Sequence, residues 1–140
     1  MKKFRVPLYI AGFFLVVLGF NFLLSLYYFS SYRADVELAM NSFLNAEITN
    51  DYATTYTKLS ASRKAHTPYD QYVEKVKLFQ NSNEPKPVDC QITRTEISSV
   101  IGTKYIGPEA KVLVTCKMSD SQLLMSRYGL ILENKEWKLN

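Results

Sequence analysis

The pattern of apolar and polar positions changes three times along the chain. From Val6 to Phe29 there are 24 residues without a charge, and only Asn21 and Ser25 are conspicuously polar. At about 1.5 Å per residue this run makes a helix of roughly 36 Å, enough to cross a hydrocarbon core of about 30 Å. From Ala34 to about Thr49 the apolar positions fall to helical spacing, with Val36, Met40, Phe43 and Leu44 on one face. This predicts a helix over 34–49, close enough behind the apolar run for the two to be nearly continuous. Asn50-Asp51 offers a break and a cap for a second helix over 51–60, with Tyr52, Tyr56 and Leu59 on one side. Ser60 to His66 is polar and reads as a loop. A third helix over 68–81 opens with Thr67 as cap, Pro68 at the first helical position and Asp70 three residues after the cap. Tyr72, Val73, Val76 and Phe79 form its stripe, and the prolines at 85 and 87 stop it.

Beyond Pro87 the period becomes two. Val88, Cys90 and Ile92 alternate with polar residues, and so do Val112, Val114, Cys116 and Met118. Strands are predicted over 88–100, 110–118, 122–133 and 136–139, the last being either a short fourth strand or the third resumed past a turn. Gly102-Thr103-Lys104 is the expected turn between the first two, and Gly107-Pro108 interrupts the start of the second. Helices followed by an antiparallel sheet make an α+β class. Residues 1–5 form a tail, 6–29 the membrane span and 30–140 one domain.

The apolar run is too long for a signal peptide, and it exits through Tyr27-Tyr28-Phe29-Ser30-Ser31-Tyr32, whose aromatics suit a cleavage site poorly. No cysteine follows it to carry a lipid. The expectation is an uncleaved signal-anchor. Charge orients it. Lys2, Lys3 and Arg5 precede the span, whereas Arg33 is soon balanced by Asp35 and Glu37. The positive-inside bias then predicts a cytoplasmic N-terminus and a domain across the membrane, periplasmic or extracellular. The short basic tail and the lack of an Asn-x-Ser/Thr sequon favour a bacterial inner membrane. Tyr9 at one end and Tyr27, Tyr28 and Tyr32 at the other suit the interfacial belts. Gly12, Gly19 and Asn21 are candidates for contact with another transmembrane helix. Against that, glycine is common in such helices and Asn21 lies near enough the outer end to reach water.

The net charge of +4 is nearly all at this end: four of the 17 cations precede Ala34, leaving 13 to balance 13 acids. A neutral domain lacks the clustered cations that nucleic acid requires. His66 is the single histidine and the five glycines are scattered, so zinc sites, Ser-His-Asp triads and phosphate loops find no support, and no cofactor is expected.

Two cysteines outside the cytoplasm invite a disulfide. A turn centred on Thr103 gives facing residues a constant index sum of 206, which pairs Cys90 with Cys116, Ile92 with Val114 and Val88 with Met118. A bulge at Gly107-Pro108 would spoil that register. The alternative is two free core thiols. On the same parity, Arg94 and Glu96 approach the sheet's buried side, either holding an anionic ligand or forming a solvated strand end.

Phe43-Leu44-Asn45-Ala46, Asn50-Asp51-Tyr52-Ala53-Thr54-Thr55-Tyr56 and the Thr67-to-Tyr72 opening resemble the helical half of the nuclear transport factor 2-like (cystatin-like cone) superfamily. The closing Gly129-to-Glu133 and Asn134-to-Leu139 segments are similar to its final hairpin. The resemblance covers residues 34–140 and implies a cone in which a curved sheet wraps a long helix and leaves a mouth that can become a pocket. It also implies where an acid or base would sit in an isomerase- or dehydratase-like relative. Asp51 is the candidate there, with Tyr52, Tyr56, Tyr72 and Arg94 as pocket residues; the bland reading of Asp51 is a helix cap. Fold does not fix function. The expectation is a non-catalytic accessory or assembly subunit docking onto a larger membrane complex, similar in outline to the inner-membrane assembly subunits of type IV secretion systems, although its soluble part is shorter than theirs. A small-ligand-binding module using the cone pocket is the alternative.

Overall fold

The computed structural model describes the backbone of residues 5–101 and 106–140, and side chains over 10–27, 30–98 and 107–140. The Gly102-Thr103-Lys104 turn and residues 1–4 lie outside these, as do the side chains of Tyr9 and Tyr28.

The apolar run and the first amphipathic stretch form a single helix, α1, Arg5–Ile48, 44 residues or about 66 Å long. Its two halves have opposite surroundings. Ile10–Tyr27 is long and apolar enough to cross a membrane, and none of it is buried. The second half turns Val36, Met40, Phe43 and Leu44 into the core. Asn50 ends the first helical segment with φ 59, a left-handed geometry that asparagine tolerates. Asp51 then caps α2 (Tyr52–Thr57) by accepting a hydrogen bond from the Thr54 amide. This helix is shorter than the predicted 51–60 because Lys58–Ser60 goes extended beside the C-terminal strand. The Ser60 amide donates to the Leu139 carbonyl at 2.7 Å and the Leu139 amide to the Lys58 carbonyl at 2.8 Å.

The segment read as a loop from Ser60 to His66 is a helix, α3 (Ala61–His66), with Ser60 as its cap. None of its residues is buried, so it has no apolar stripe for periodicity to detect. Its three cations, Arg63, Lys64 and His66, lie in the last turn, where the helix dipole favours them. Thr67 closes α3 rather than capping the next helix. Pro68 occupies the cap position of α4 (Tyr69–Asn81), which has no side-chain cap, so the expected Thr67–Asp70 capping box is not made.

Four antiparallel strands follow in the order β1-β2-β3-β4: Pro87–Ile101, Ile106–Met118, Leu123–Glu133 and Glu136–Leu139. Gly107-Pro108 does not interrupt β2, which pairs with β1 back to Ile106. β3 joins β2 only from Glu109 onward, so the proline sits where the sheet is two strands wide and tolerates a missing N–H. Asn134 and Lys135, both at positive φ (51 and 67), form the two-residue turn into β4, the conformation that matches strand twist.

Cys90 faces Cys116 and Ile92 faces Val114, as predicted, but the index sum is 206 only from Asp89 to Ile92. From Arg94 to Ile101 it is 207. Thr93 is therefore an extra residue on β1, and its hydroxyl donates to the Leu113 carbonyl at 3.0 Å. The expected bulge at Gly107-Pro108 is absent; the register slips at Thr93 instead, and slips again at Val88, so Met118 faces Pro87 rather than Val88. The bulge at Thr93 reverses the alternation beyond it. Thr95 and Ile97 turn inward, 8% and 7% exposed, against Val112 and Ala110. Arg94 and Glu96 turn outward and pair with each other at 2.9 Å.

The core lies between the α1 stripe and the inner face of the sheet, where Met40, Leu130, Leu139, Val36, Val112 and Val114 are fully enclosed. Truncating Met40 to alanine there costs about 2–5 kcal/mol by lost transfer energy and the cavity left behind. The Glu37 carboxylate ties helix to sheet, accepting from Arg33 at 2.8 Å and from the Thr95 hydroxyl at 3.2 Å. Trp137 packs edge-on against Tyr32, ring centres 5.7 Å apart.

Candidate functional site

The cavity with the most distinctive chemistry lies where the end of α1, the short helices and β3 converge. It has a volume of ≈ 470 Å³ and is lined by Phe43 and Glu47 of α1, Arg63 of α3, Tyr72, Lys75, Val76 and Phe79 of α4, and Tyr128 of β3. Each side chain arrives there for a local reason. Glu47 continues the α1 stripe, four residues after Phe43 and seven after Met40, and so points toward the core side although it is an acid. Tyr128 sits on the inner parity of β3 and meets Phe43 edge-on at 5.9 Å. Tyr72 belongs to the α4 stripe and packs on Tyr56 at 5.4 Å, which in turn meets Tyr69 at 5.1 Å.

Burial raises the Glu47 carboxyl above its ordinary value because the ionised form loses solvation. The same desolvation, with the Glu47 charge as a second cause, pushes the Tyr128 phenol up to about 12. Burial also raises Tyr72, opposed by the Thr55 hydroxyl and Arg63 and reinforced by Glu47. The site thus combines an acid biased toward its protonated, hydrogen-bond-donating form, two phenols that stay protonated, an apolar wall and two cations. It can orient a small molecule; the arrangement contains no nucleophile–base pair.

Of the expected pocket residues, only Tyr72 lines this cavity. Asp51 is exposed at the α2 cap, and hydrogen bonding from Thr54 lowers its pKa, the opposite of what a general acid requires. Tyr56 packs behind Tyr72, and its hydroxyl donates to the Thr67 carbonyl at 3.1 Å. Tyr52 is half-buried beside the cap. Arg94 is on the outer sheet face because of the Thr93 bulge and is absent from this site. His66 is engaged with the Ser62 carbonyl of its own helix at 2.7 Å. Among the described residues no group of three or more His, Cys, Asp or Glu converges as metal ligands would. Glu47 was missed in the sequence, although a glutamate on an otherwise apolar helical stripe is the signal that finds it.

A groove of ≈ 600 Å³ at Tyr32, Leu38 and Trp137 is larger but rimmed by Asp35, Lys58, Lys135 and Glu136. Its Glu136 is exposed and held below the usual carboxylate range by Lys138, so it offers a solvated surface rather than a binding site. On the span, a side chain at Gly12 or Gly19 would meet nothing within 4 Å in this chain. The Asn21 side-chain amide donates back to the Val17 carbonyl at 2.9 Å.

The sheet does carry the expected bridge. Cys90 and Cys116 form a disulfide with their Cα atoms 4.1 Å apart. No protein-family model matches the sequence, and no curated protein is significantly similar to it.

Proposed function

We propose that the protein is a non-catalytic, single-pass membrane accessory or assembly subunit that holds a small cone-like α+β domain against a larger membrane complex. The observation that carries this reading is α1. One helix supplies both a fully exposed apolar stretch, Ile10–Tyr27, and the spine of the domain core, so the domain is fixed to its anchor without a flexible linker. Such a joint suits a part that must be held at a set height and orientation above a bilayer. The disulfide supports an oxidising compartment, and Lys2, Lys3 and Arg5 before the span favour a cytoplasmic N-terminus. Together these place the domain in the periplasm or outside the cell, anchored in a bacterial inner membrane. The likeness to nuclear transport factor 2-like domains belongs to this proposal, supported by the order of elements and by the long helix lying on a sheet.

The test is mild detergent extraction of the C-terminally tagged chain, followed by native sizing and identification of stoichiometric companions. Discrete assemblies that shrink when Gly12→Leu or Asn21→Ala is introduced are expected. A chain that travels without other proteins in several mild detergents would overturn the reading. The Glu47 cavity favours a second reading, a membrane-anchored small-ligand-binding module. A ligand that binds only the folded state must raise its melting temperature, and Glu47→Gln should abolish that rise.

A further inference from the structure

The sheet has an open stretch on β3. The two-residue turn at Asn134-Lys135 makes Glu133 and Glu136 the first hydrogen-bonded pair, so the odd-numbered residues of β3 direct their backbone groups toward β4. The Asn140 amide donating to the Gly129 carbonyl at 2.9 Å fits this parity. β4 pairs only with Leu130–Glu133. The outward backbone groups of Leu123, Met125 and Arg127 therefore face a side of β3 on which no described strand lies. The side chains there are conspicuously apolar: Leu123, Leu124 and Met125 are 73%, 50% and 64% exposed. An open edge of this kind is normally blunted by a proline, a bulge or a run of charges. β1 has such protection, with its bulge at Thr93 and with Asp89, Arg94 and Glu96 along it. β3 pairs in regular register through this stretch and has one charge, Arg127.

We infer that this edge is a homotypic docking site at which β3 pairs antiparallel with β3 of a second copy across a two-fold axis at Met125. The choice of a second copy rests on self-complementarity. With facing indices summing to 250, Met125 meets its own counterpart and Leu123 meets Arg127 of the other copy, and the reverse. All three outward positions on each chain then face outward positions on the other. Leu124 meets Ser126, and no like charges face each other. β4 leaves the edge where the second copy would begin, so the two would lie end to end rather than collide. Anchoring by α1 holds two copies in one plane and raises their effective concentration. Open glycines at 12 and 19 leave the anchors free to approach as well. This inference does not depend on the larger complex proposed above.

Single cysteines in the full-length chain, in its membrane, test the register. The native thiols are in the Cys90–Cys116 bridge, so an added cysteine reacts alone under non-reducing conditions. Facing residues of a hydrogen-bonded antiparallel pair have Cα atoms about 5.5 Å apart, within disulfide reach. Met125→Cys should convert most of the chain to a band at twice 16.1 kDa with a short thiol crosslinker. Leu123→Cys should not, because its own counterpart lies about 13 Å along the other strand. The double variant Leu123→Cys/Arg127→Cys should restore the band. Met125→Lys, which sets like charges face to face on an exposed position, should return the detergent-extracted chain to monomer. Failure of Met125→Cys to crosslink in protein whose native bridge is intact would overturn the inference. So would equal crosslinking from Leu123→Cys, or capture of a different protein in place of a second copy.

Discussion

Reducing the Cys90–Cys116 bridge is the most quantitative perturbation this fold permits. The residues are 26 apart in sequence, and the chain-entropy relation for a loop of that size gives about 3.5 kcal/mol at 25 °C. Reduction is the cleaner operation than mutation, because it leaves both sulfurs in place and Cys116 buried. The sheet register does not rely on the bridge: Ile92 faces Val114 beside it, and Thr93 pins the bulge through the Leu113 carbonyl. The reduced chain should therefore fold to the same structure and lose only the restraint on its unfolded state. Trp137 is the single tryptophan, 4% exposed against Tyr32, so its fluorescence reports loss of the domain core without interference. For a domain this small, with a urea slope of about 1–3 kcal/mol/M, the midpoint should fall by on the order of 2 M. Full-length protein in mild detergent, with and without a reductant, supplies both curves. A shift below about 0.5 M at an unchanged slope would refute the entropic argument. Loss of a cooperative transition on reduction would instead show that the bridge holds the register itself.

Glu47→Gln should stabilise the domain near neutral pH and flatten its pH dependence. A carboxyl raised in the folded state favours folding fully below its ordinary value and loses that contribution as pH rises through the folded value. Melting temperatures of the two proteins should thus converge near pH 4 and separate toward pH 7; parallel curves would deny burial of the acid. Lys135 holds a φ of 67, so Lys135→Gly should stabilise the β3–β4 hairpin by about 1 kcal/mol, read as a rise in melting temperature, whereas Lys135→Val should lower it. Deleting Thr93 removes the bulge residue while leaving Ile92 opposite Val114 and Arg94 opposite Leu113. The Cys90–Cys116 disulfide should still form, as non-reducing mass analysis would show; free thiols would mean that the bulge is needed to bring the strands into register.

The elements with a strong one-sided pattern were legible. The apolar run, the Val36–Leu44 stripe and the α4 stripe each announced a helix, and the alternating residues of β2 announced a strand, because in each case one face is buried and the other is not. The elements without a buried face were silent. α3 contributes nothing to the core, so only its Ser60 cap and basic last turn mark it, and the eye follows hydrophobicity first. The start of α4 was misassigned for a related reason: Thr67 is claimed by the helix before it, a competition that cannot be seen while that helix is unrecognised.

The candidate site was less legible than the fold, and Thr93 shows why. Ile92 and Ile97 are five apart, so both cannot face inward on a strand that alternates without a break, whereas Ala110, Val112, Val114 and Cys116 keep one parity throughout. The mismatch required a slip on β1 between the two isoleucines. A turn centred on Thr103 gave the right cysteine pairing only near Cys90; the strand beyond it runs one residue out of step, and the bulge absorbs the difference. That single residue moves Arg94 from the cone side to the outer face, away from Tyr72. The acid that does reach the cavity, Glu47, comes from the helix instead. Its place on the stripe was fixed by the same spacing that placed Met40 and Phe43 in the core. A charged residue at a buried position is the exception most worth following, because only a surrounding structure that tolerates or uses it can hold it there.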